Sequence, residues 1–294
     1  MSPARPGCGD PCVRPRGLLG NASHLLHRTR VDCTPECRLN HYRAVIAAAA
    51  RFDTAFLTNL HSRRLAAVRG VAGSDVVVQV GIIPRWRVVL GHGATSAAET
   101  SLTMSPTYGF PIFPGSALKG VSASYLRGRE DESDTQERLR RLFGSPRPTE
   151  QRDDATKGTV TWFDALPVGT PRLVIDTLTP HVAPYYRDGH TTGAPRQAPA
   201  EYHNPIPVRF LAATAGDKSS GYRALLTGPA EDVRDAATLL CAALDDLGIG
   251  GKTSAGYGYC QARWEELTMS ERSERIMGQR AARMPEPSVS EAQA

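Results

Sequence analysis

Apolar positions recur at three- and four-residue steps in two long stretches of the chain. Over residues 41–69, Val45, Ala49, Phe52, Phe56 and Leu60 fall on one face and Gly70 ends the run, which predicts a single long helix. Over residues 229–247, Val233, Ala237, Leu240, Leu244 and Leu247 form one face. Glu231 and Asp232 stand in the first turn, where they complement the helix dipole, and Gly248 follows the end. Two shorter helices are predicted, one opening at Pro114-Gly115-Ser116 and running to about Arg127, the other over residues 137–143. The β-rich stretches are residues 76–90, broken at Ile83-Pro84, then 159–165, 172–178, 206–212, 222–226 and 257–264. Residues 91–114 read as a Gly/Ser/Thr/Pro-rich connection, and 146–156 as a polar one. The polar segment between the strands at 172–178 and 206–212, with Tyr185, Tyr186, His190 and Tyr202, is too long for a simple connector. The resulting order is strand, helix, two or more strands, helix, strand. This is an α+β, ferredoxin-like βαββαβ pattern with an inserted hairpin and loop, the split βαβ architecture that RNA-recognition modules share. It divides the chain into an irregular, Cys-rich N-terminal extension (1–40), a ferredoxin-like domain with a leading helix (41–267) and a polar tail (268–294), in which residues 271–283 have helical character.

At 294 residues with 40% apolar side chains, the chain can bury a sizeable core. Its net charge of +5 suits a polyanionic partner. Only four of its 35 basic residues are lysines, Lys119, Lys157, Lys218 and Lys252, and two of those stand in glycine-flanked motifs. No apolar run reaches the 18 or so residues of a membrane span, and the first twenty residues carry no apolar signal-peptide core, so a soluble, cytoplasmic protein is expected. Cys8, Cys12, Cys33 and Cys37 form two C-x3-C pairs. In a reducing compartment such a set suits tetrahedral Zn²⁺, whereas free thiols in a loose arm are the plainer alternative. His24, His27 and His41 are substitute ligands in the zinc case. Cys241 and Cys260 read as small core residues.

The densest chemistry lies in Gly248-Ile249-Gly250-Gly251-Lys252-Thr253-Ser254-Ala255-Gly256-Tyr257-Gly258. Glycines let backbone N–H groups approach an anion, here with a lysine beside them. Two grounds argue against a nucleotide-binding P-loop and the ATP hydrolysis it would bring. Asp246 stands where that motif needs glycine, and this loop follows a helix and opens a strand instead of the reverse. A glycine C-cap with a turn remains the structural alternative. The start of the earlier helix, Gly115-Ser116-Ala117-Leu118-Lys119-Gly120, supplies a second anion-binding candidate through its free N–H groups and dipole. Two separated phosphate sites fit a nucleic-acid backbone better than one small ligand.

These two motifs resemble, respectively, the C-terminal glycine-rich loop and the first-helix motif of the RAMP superfamily of CRISPR-associated proteins. Phe163-Asp164-Ala165, Asp176-Thr177-Leu178-Thr179-Pro180-His181 and Asn204-Pro205-Ile206-Pro207-Val208-Arg209-Phe210-Leu211 follow in an order and spacing similar to the sixth-subunit family of the Cmr complex, the type III-B CRISPR effector. Asn21-Ala22-Ser23 before Leu25-Leu26 is similar to the start of that family. The resemblance covers roughly residues 21–265. It implies a non-catalytic subunit near one end of a ribonucleoprotein, holding the 3′ part of the CRISPR RNA (crRNA) and its paired target RNA beside other Cmr subunits. It also implies that target cleavage and cyclic-nucleotide synthesis belong to different subunits. No cofactor is expected to be required for activity, and a zinc on the cysteine arm, which lies mostly outside the resemblance, would be structural.

The expected RNA-contact set is therefore Gly115, Ser116 and Lys119 in one motif, and Gly248, Gly250, Gly251, Lys252, Thr253 and Gly256 in the other, lysines and hydroxyls to phosphate and glycines setting shape. Ser116 is equally a plain N-cap, and Tyr257 is read as a core residue. Tyr185 and Tyr186 suit base wedging or a protein interface. His181 is read as structural. Its use as a general acid–base would define the rival function, a metal-independent CRISPR RNA-processing endoribonuclease.

Overall fold

Val76-Val77-Val78 opens the strand on which the whole molecule is organised. The computed structural model describes residues 20–28, 35–94, 100–128, 132–145, 155–179, 205, 207–215 and 221–267. Strand β1 (Val76–Pro84) lies at the centre of a five-stranded sheet, antiparallel to β7 (Tyr222–Gly228) on one side and β8 (Cys260–Glu266) on the other. The far edge of β7 pairs with two short strands, β3 (Thr161–Trp162) and β4 (Leu166–Pro167). The register runs from Val76 opposite Gly228 to Ile82 opposite Tyr222, and from Val78 opposite Glu266 to Pro84 opposite Cys260. Alternation along β1 divides its side chains between two layers. Val78, Val80 and Ile82 pack under helices α4 (Gly115–Arg127) and α6 (Ala230–Asp246), against Leu118, Leu126, Val233 and Leu240. Val77 points the other way and meets Val68 of α3 (Thr54–Ala72) and Leu225. α5 (Glu132–Phe143) flanks α4 and is tied to α6 by Arg138–Asp235, with Nε to Oδ2 at 2.8 Å.

A second sheet contains β2 (Arg87–Val88), β6 (Val208–Thr214) and β5 (Arg172–Leu178) in that spatial order, all antiparallel. Its inner face is covered by α1 (Ala22–Arg28) and α2 (Pro35–Ala49). Leu25, Leu26, Tyr42 and Val45 pack there with Leu173 and Leu211. The protein is thus α+β, with N-terminal helices and antiparallel sheets.

α3 runs through Gly70 to Ala72, and α5 starts at Glu132 instead of 137; four further elements differ from the sequence expectation. The long helix over 41–69 is two helices, because Asp53 caps a new start, its carboxylate accepting from Phe56 N–H at 2.6 Å. Residues 22–28, read as irregular, are helical: Asn21 Oδ1 accepts from Ser23 N–H (2.9 Å), and Asn21 Nδ2 donates to Pro106 C=O (2.7 Å). The stretch 76–90 breaks at Arg85-Trp86, and its halves enter different sheets. The expected strand over 159–165 is split into β3 and β4 by Phe163–Ala165, where Ala165 N–H turns to Phe113 C=O (2.7 Å). The 268–294 tail, the segment carrying His181, Tyr185, Tyr186, His190 and Tyr202, and Cys8, Cys12 and Cys33 lie outside the described residues.

Candidate functional site

The loop after α6 is suspended across the seam of the two sheets. Ile249 N–H donates to Gly258 C=O (2.9 Å), closing the loop on itself. Gly258 N–H donates to Arg87 C=O (2.8 Å), and Gly251 N–H to Val89 C=O (2.8 Å), fastening it to the chain that enters the second sheet. Gly248, Gly250, Gly256 and Gly258 all have positive φ. At Gly250 (φ +93°) a β-carbon would overlap the Val89 carbonyl, so close backbone approach demands glycine there.

Lys252 is the only non-glycine residue with positive φ among the described residues, at +63°. That conformation turns the chain into a short 3₁₀ turn, Thr253–Ala255. Among the described residues, the N–H groups of Gly250, Lys252, Thr253 and Ser254 have no protein acceptor, whereas Ala255, Gly256 and Tyr257 N–H groups are used inside the loop. Three consecutive free amides thus stand beside the Lys252 ammonium, which lies 5.4 Å from the Phe210 ring centroid and makes no ion pair among the described residues. Successive N–H groups around a left-handed residue form an anion-binding concavity. His92, whose ring meets Phe210 edge-on at 5.3 Å, is shifted toward its neutral form by burial and then by the Lys252 charge.

Tyr257 is buried, as expected, and packs with Val89, Phe210 and Ala212. Its hydroxyl donates to Asp176 Oδ2 at 2.5 Å, and Arg87 pairs with the same oxygen. Burial alone would raise the Asp176 pKa, but hydrogen bonds from Tyr257 and Arg87 outweigh it and hold the carboxyl below its usual range. Burial and the Asp176 contact push the Tyr257 phenol up to about 12. A carboxyl depressed in the fold contributes stability above the unfolded value of about 3.9, and that contribution disappears as pH falls through the folded value. Asp176→Asn should therefore cost about 1–2 kcal/mol at pH 7, with the gap to the parent narrowing below about pH 4 in urea titrations at stepped pH. A gap independent of pH would show that the charge of Asp176 does not anchor the loop.

The second motif is built differently. Gly115 N–H donates to Asp164 Oδ1 (2.8 Å), and a β-carbon on Gly115 would overlap the Trp162 carbonyl. A carboxylate thus already occupies the first turn of α4. Pro114 takes the N-cap position, without a side-chain cap, and Ser116 is exposed. Ser116 and Lys119 line an open cleft of about 880 Å³ between α4 and α5, where Lys119, Arg127 and Arg140 face the single carboxylate of Glu137. The two motifs do not share a corner. Tyr125 near the end of α4 donates to Asp246 at the end of α6 (3.0 Å), so the helices end together. Gly115 lies ten residues upstream of Tyr125, about 15 Å at 1.5 Å per residue.

Sequence reasoning missed Asp164, Asp176, Arg87 and Phe210 as supports of these motifs. They stand 42 residues or more from the groups they hold, and although Asp164, Asp176 and Phe210 lie in the family-like segments, nothing local tells which group each one supports. Cys37 lies on α2 and is disulfide-bonded. Cys241 and Cys260 are free and their thiols are pushed up, to about 11 and about 12, by burial. Among the described residues no group of three or more His, Cys, Asp or Glu is arranged to hold a metal ion.

Comparison with known proteins agrees with this architecture. The RAMP superfamily profile matches residues 73–261. The sequence is 30% identical over 223 residues to the CRISPR system Cmr subunit Cmr6 of Pyrococcus furiosus, covering 58% of this chain and 64% of that protein, a little under two thirds of the relative's length. The fold is similar to a chain in the cryo-electron-microscopy structure of the type III-B Cmr-beta complex bound to cognate target RNA, with a TM-score of 0.55 and 22% identity over 84% of this chain and 81% of that one. The crystal structure of Cmr6 from Pyrococcus furiosus matches with a TM-score of 0.38 and 25% identity, over 65% of this chain and 99% of that one. The chain belongs to the RAMP superfamily, and its sequence is Cmr6-like.

Proposed function

We propose that this chain is a non-catalytic, RNA-binding subunit of a type III-B CRISPR effector ribonucleoprotein, acting in the cytoplasm in antiviral defence. It helps hold the 3′ part of the crRNA and its duplex with target RNA, and its protein partners are other Cmr subunits. The observation that carries this reading is the loop at 248–258: three consecutive amides and a lysine without a protein partner among the described residues, fixed by a left-handed residue and by hydrogen bonds to Arg87 and Val89. Such an array recognises a phosphate without reading its base. The platform beneath is read as ferredoxin-like and RRM-like. The strand order β3–β7–β1–β8, with β4 also on β7 and with α4 and α6 as the two crossovers, supports that assignment. Lys119 and Ser116, about 9 and 14 Å up α4 from Tyr125 at 1.5 Å per residue, supply a second contact to the same polyanion.

Incubation of the purified full-length chain with labelled repeat-containing RNA in EDTA tests the non-catalytic assignment. The RNA should be retained and recovered at full length. Discrete cleavage products would instead make the chain a metal-independent RNA-processing endoribonuclease.

A further inference from the structure

Trp86 is the only aromatic ring among the exposed large apolar side chains of the described residues, with 47% of its surface open. It sits in the two-residue turn between β1 and β2, and that turn is held on both sides. Arg85 N–H donates to Tyr259 C=O (2.9 Å), and Thr214 Oγ1 donates to Trp86 C=O (2.9 Å). The indole is not a loose surface ring. Its centroid lies 4.9 Å from that of Tyr257, and the Arg87 guanidinium stands 4.7 Å from its own centroid. Arg87 and Tyr257 are both fixed by Asp176. The row of rings continues from Tyr257 to Phe210 at 5.9 Å, and Phe210 carries the Lys252 ammonium at 5.4 Å. One end of this row is therefore an open indole, and the other is the lysine beside the free amides of Lys252, Thr253 and Ser254.

The geometry points to Trp86 as a nucleobase-stacking residue: an unpaired base of a single RNA strand lies on the open part of the indole while a neighbouring phosphate occupies the amides at 252–254. This inference rests on the RNA-binding reading above and adds a base contact to it. The surface next to the indole distinguishes a nucleic acid from a protein partner. The free amides and an ammonium unpaired among the described residues need several acceptor oxygens at once, which a phosphodiester supplies next to a flat π-face. A base stacked on an aromatic side chain is held without regard to its identity, because every base has a π-face. A residue of this kind suits a subunit that must accept RNA of any spacer sequence.

The test uses the full-length chain with two probes, a mixed-sequence single-stranded oligoribonucleotide and the same strand carrying abasic sites. Trp86→Leu keeps apolar bulk and removes the ring. It should bind the intact strand roughly tenfold more weakly with an unchanged salt slope, while Trp86→Phe stays within about threefold of the parent. The abasic strand should bind the parent and Trp86→Leu alike. The fluorescence component absent from Trp86→Phe should be quenched by the intact strand. Parental affinity of Trp86→Leu, or an equal loss on both probes, overturns the stacking assignment. So does a loss of association with other subunits in the absence of any change in RNA affinity, which would make this face a protein interface. Lys252→Gly, measured alongside, separates the two claims. Weakening by Lys252→Gly alone rejects the stacking residue and leaves the RNA interface standing, whereas no effect of either substitution rejects the interface itself.

Discussion

Gly258→Ala should lower stability by about 3 kcal/mol and abolish RNA binding by the loop. The residue has φ +84°, where a side chain costs about 1–2 kcal/mol, and its β-carbon would overlap the Ile249 carbonyl and crowd the Ile249 nitrogen. Relief requires moving the backbone at the point where Gly258 accepts from Ile249 N–H and donates to Arg87 C=O. Both anchors of the cradle would be lost, and the amides at 252–254 would no longer be held in a fixed array. Gly256→Ala is the matched comparison. Its φ is +88°, but nothing lies within 4 Å of an added β-carbon. It should cost only the left-handed conformation, about 1 kcal/mol, and leave most RNA affinity intact. Urea midpoints and filter-binding titrations of the two variants check the pair. Equal behaviour would mean that glycine content, not the closing contact, governs the loop.

Lys252→Gly should separate stability from binding in the opposite direction. Lysine bears a conformational cost at φ +63° that glycine does not, and it recovers part of that cost over the Phe210 ring. The glycine variant should be as stable as the parent or up to about 1 kcal/mol more stable. Its RNA affinity should fall about tenfold at low salt, and the slope of log K against log salt should shrink by about one. A residue kept in a strained conformation for fold stability alone would give the reverse: a less stable protein with an unchanged salt slope.

Much of the fold is legible locally. The helix at 230–246 shows its period over four turns and ends at a glycine, and the strands at 172–178, 208–214 and 222–228 are short apolar runs between breakers. The parts that escape are those decided at long range. α1 is seven residues long, too short to display a period, and its apolar residues are explained only by Leu102, Met104, Leu173 and Leu211 beneath them. The apolar spacing from Val45 to Leu60 runs straight through Asp53, because Phe52 and Phe56 pack together at 5.2 Å across the break and preserve the pattern. β2 is two residues long and acquires its sheet from partners more than a hundred residues downstream. At the candidate site the glycine spacing and the lysine were legible. What holds them was not: Asp176 becomes the anchor of Tyr257 and Arg87 only when three distant segments meet. The helix-start motif shows the same limit. Its sequence suggests an open N-terminus, yet Asp164 fills the Gly115 amide.

RNA contact through the 248–258 loop and the α4–α5 cleft would leave covalent marks under ultraviolet light. Ultraviolet cross-linking of the assembled ribonucleoprotein, followed by mass spectrometry of nucleotide-bearing peptides, tests it most directly. Adducts should fall within residues 248–258 and at Trp86, with a second set in the α4 peptide containing Lys119. Adducts confined to other surfaces, with both motifs unmodified, would contradict it.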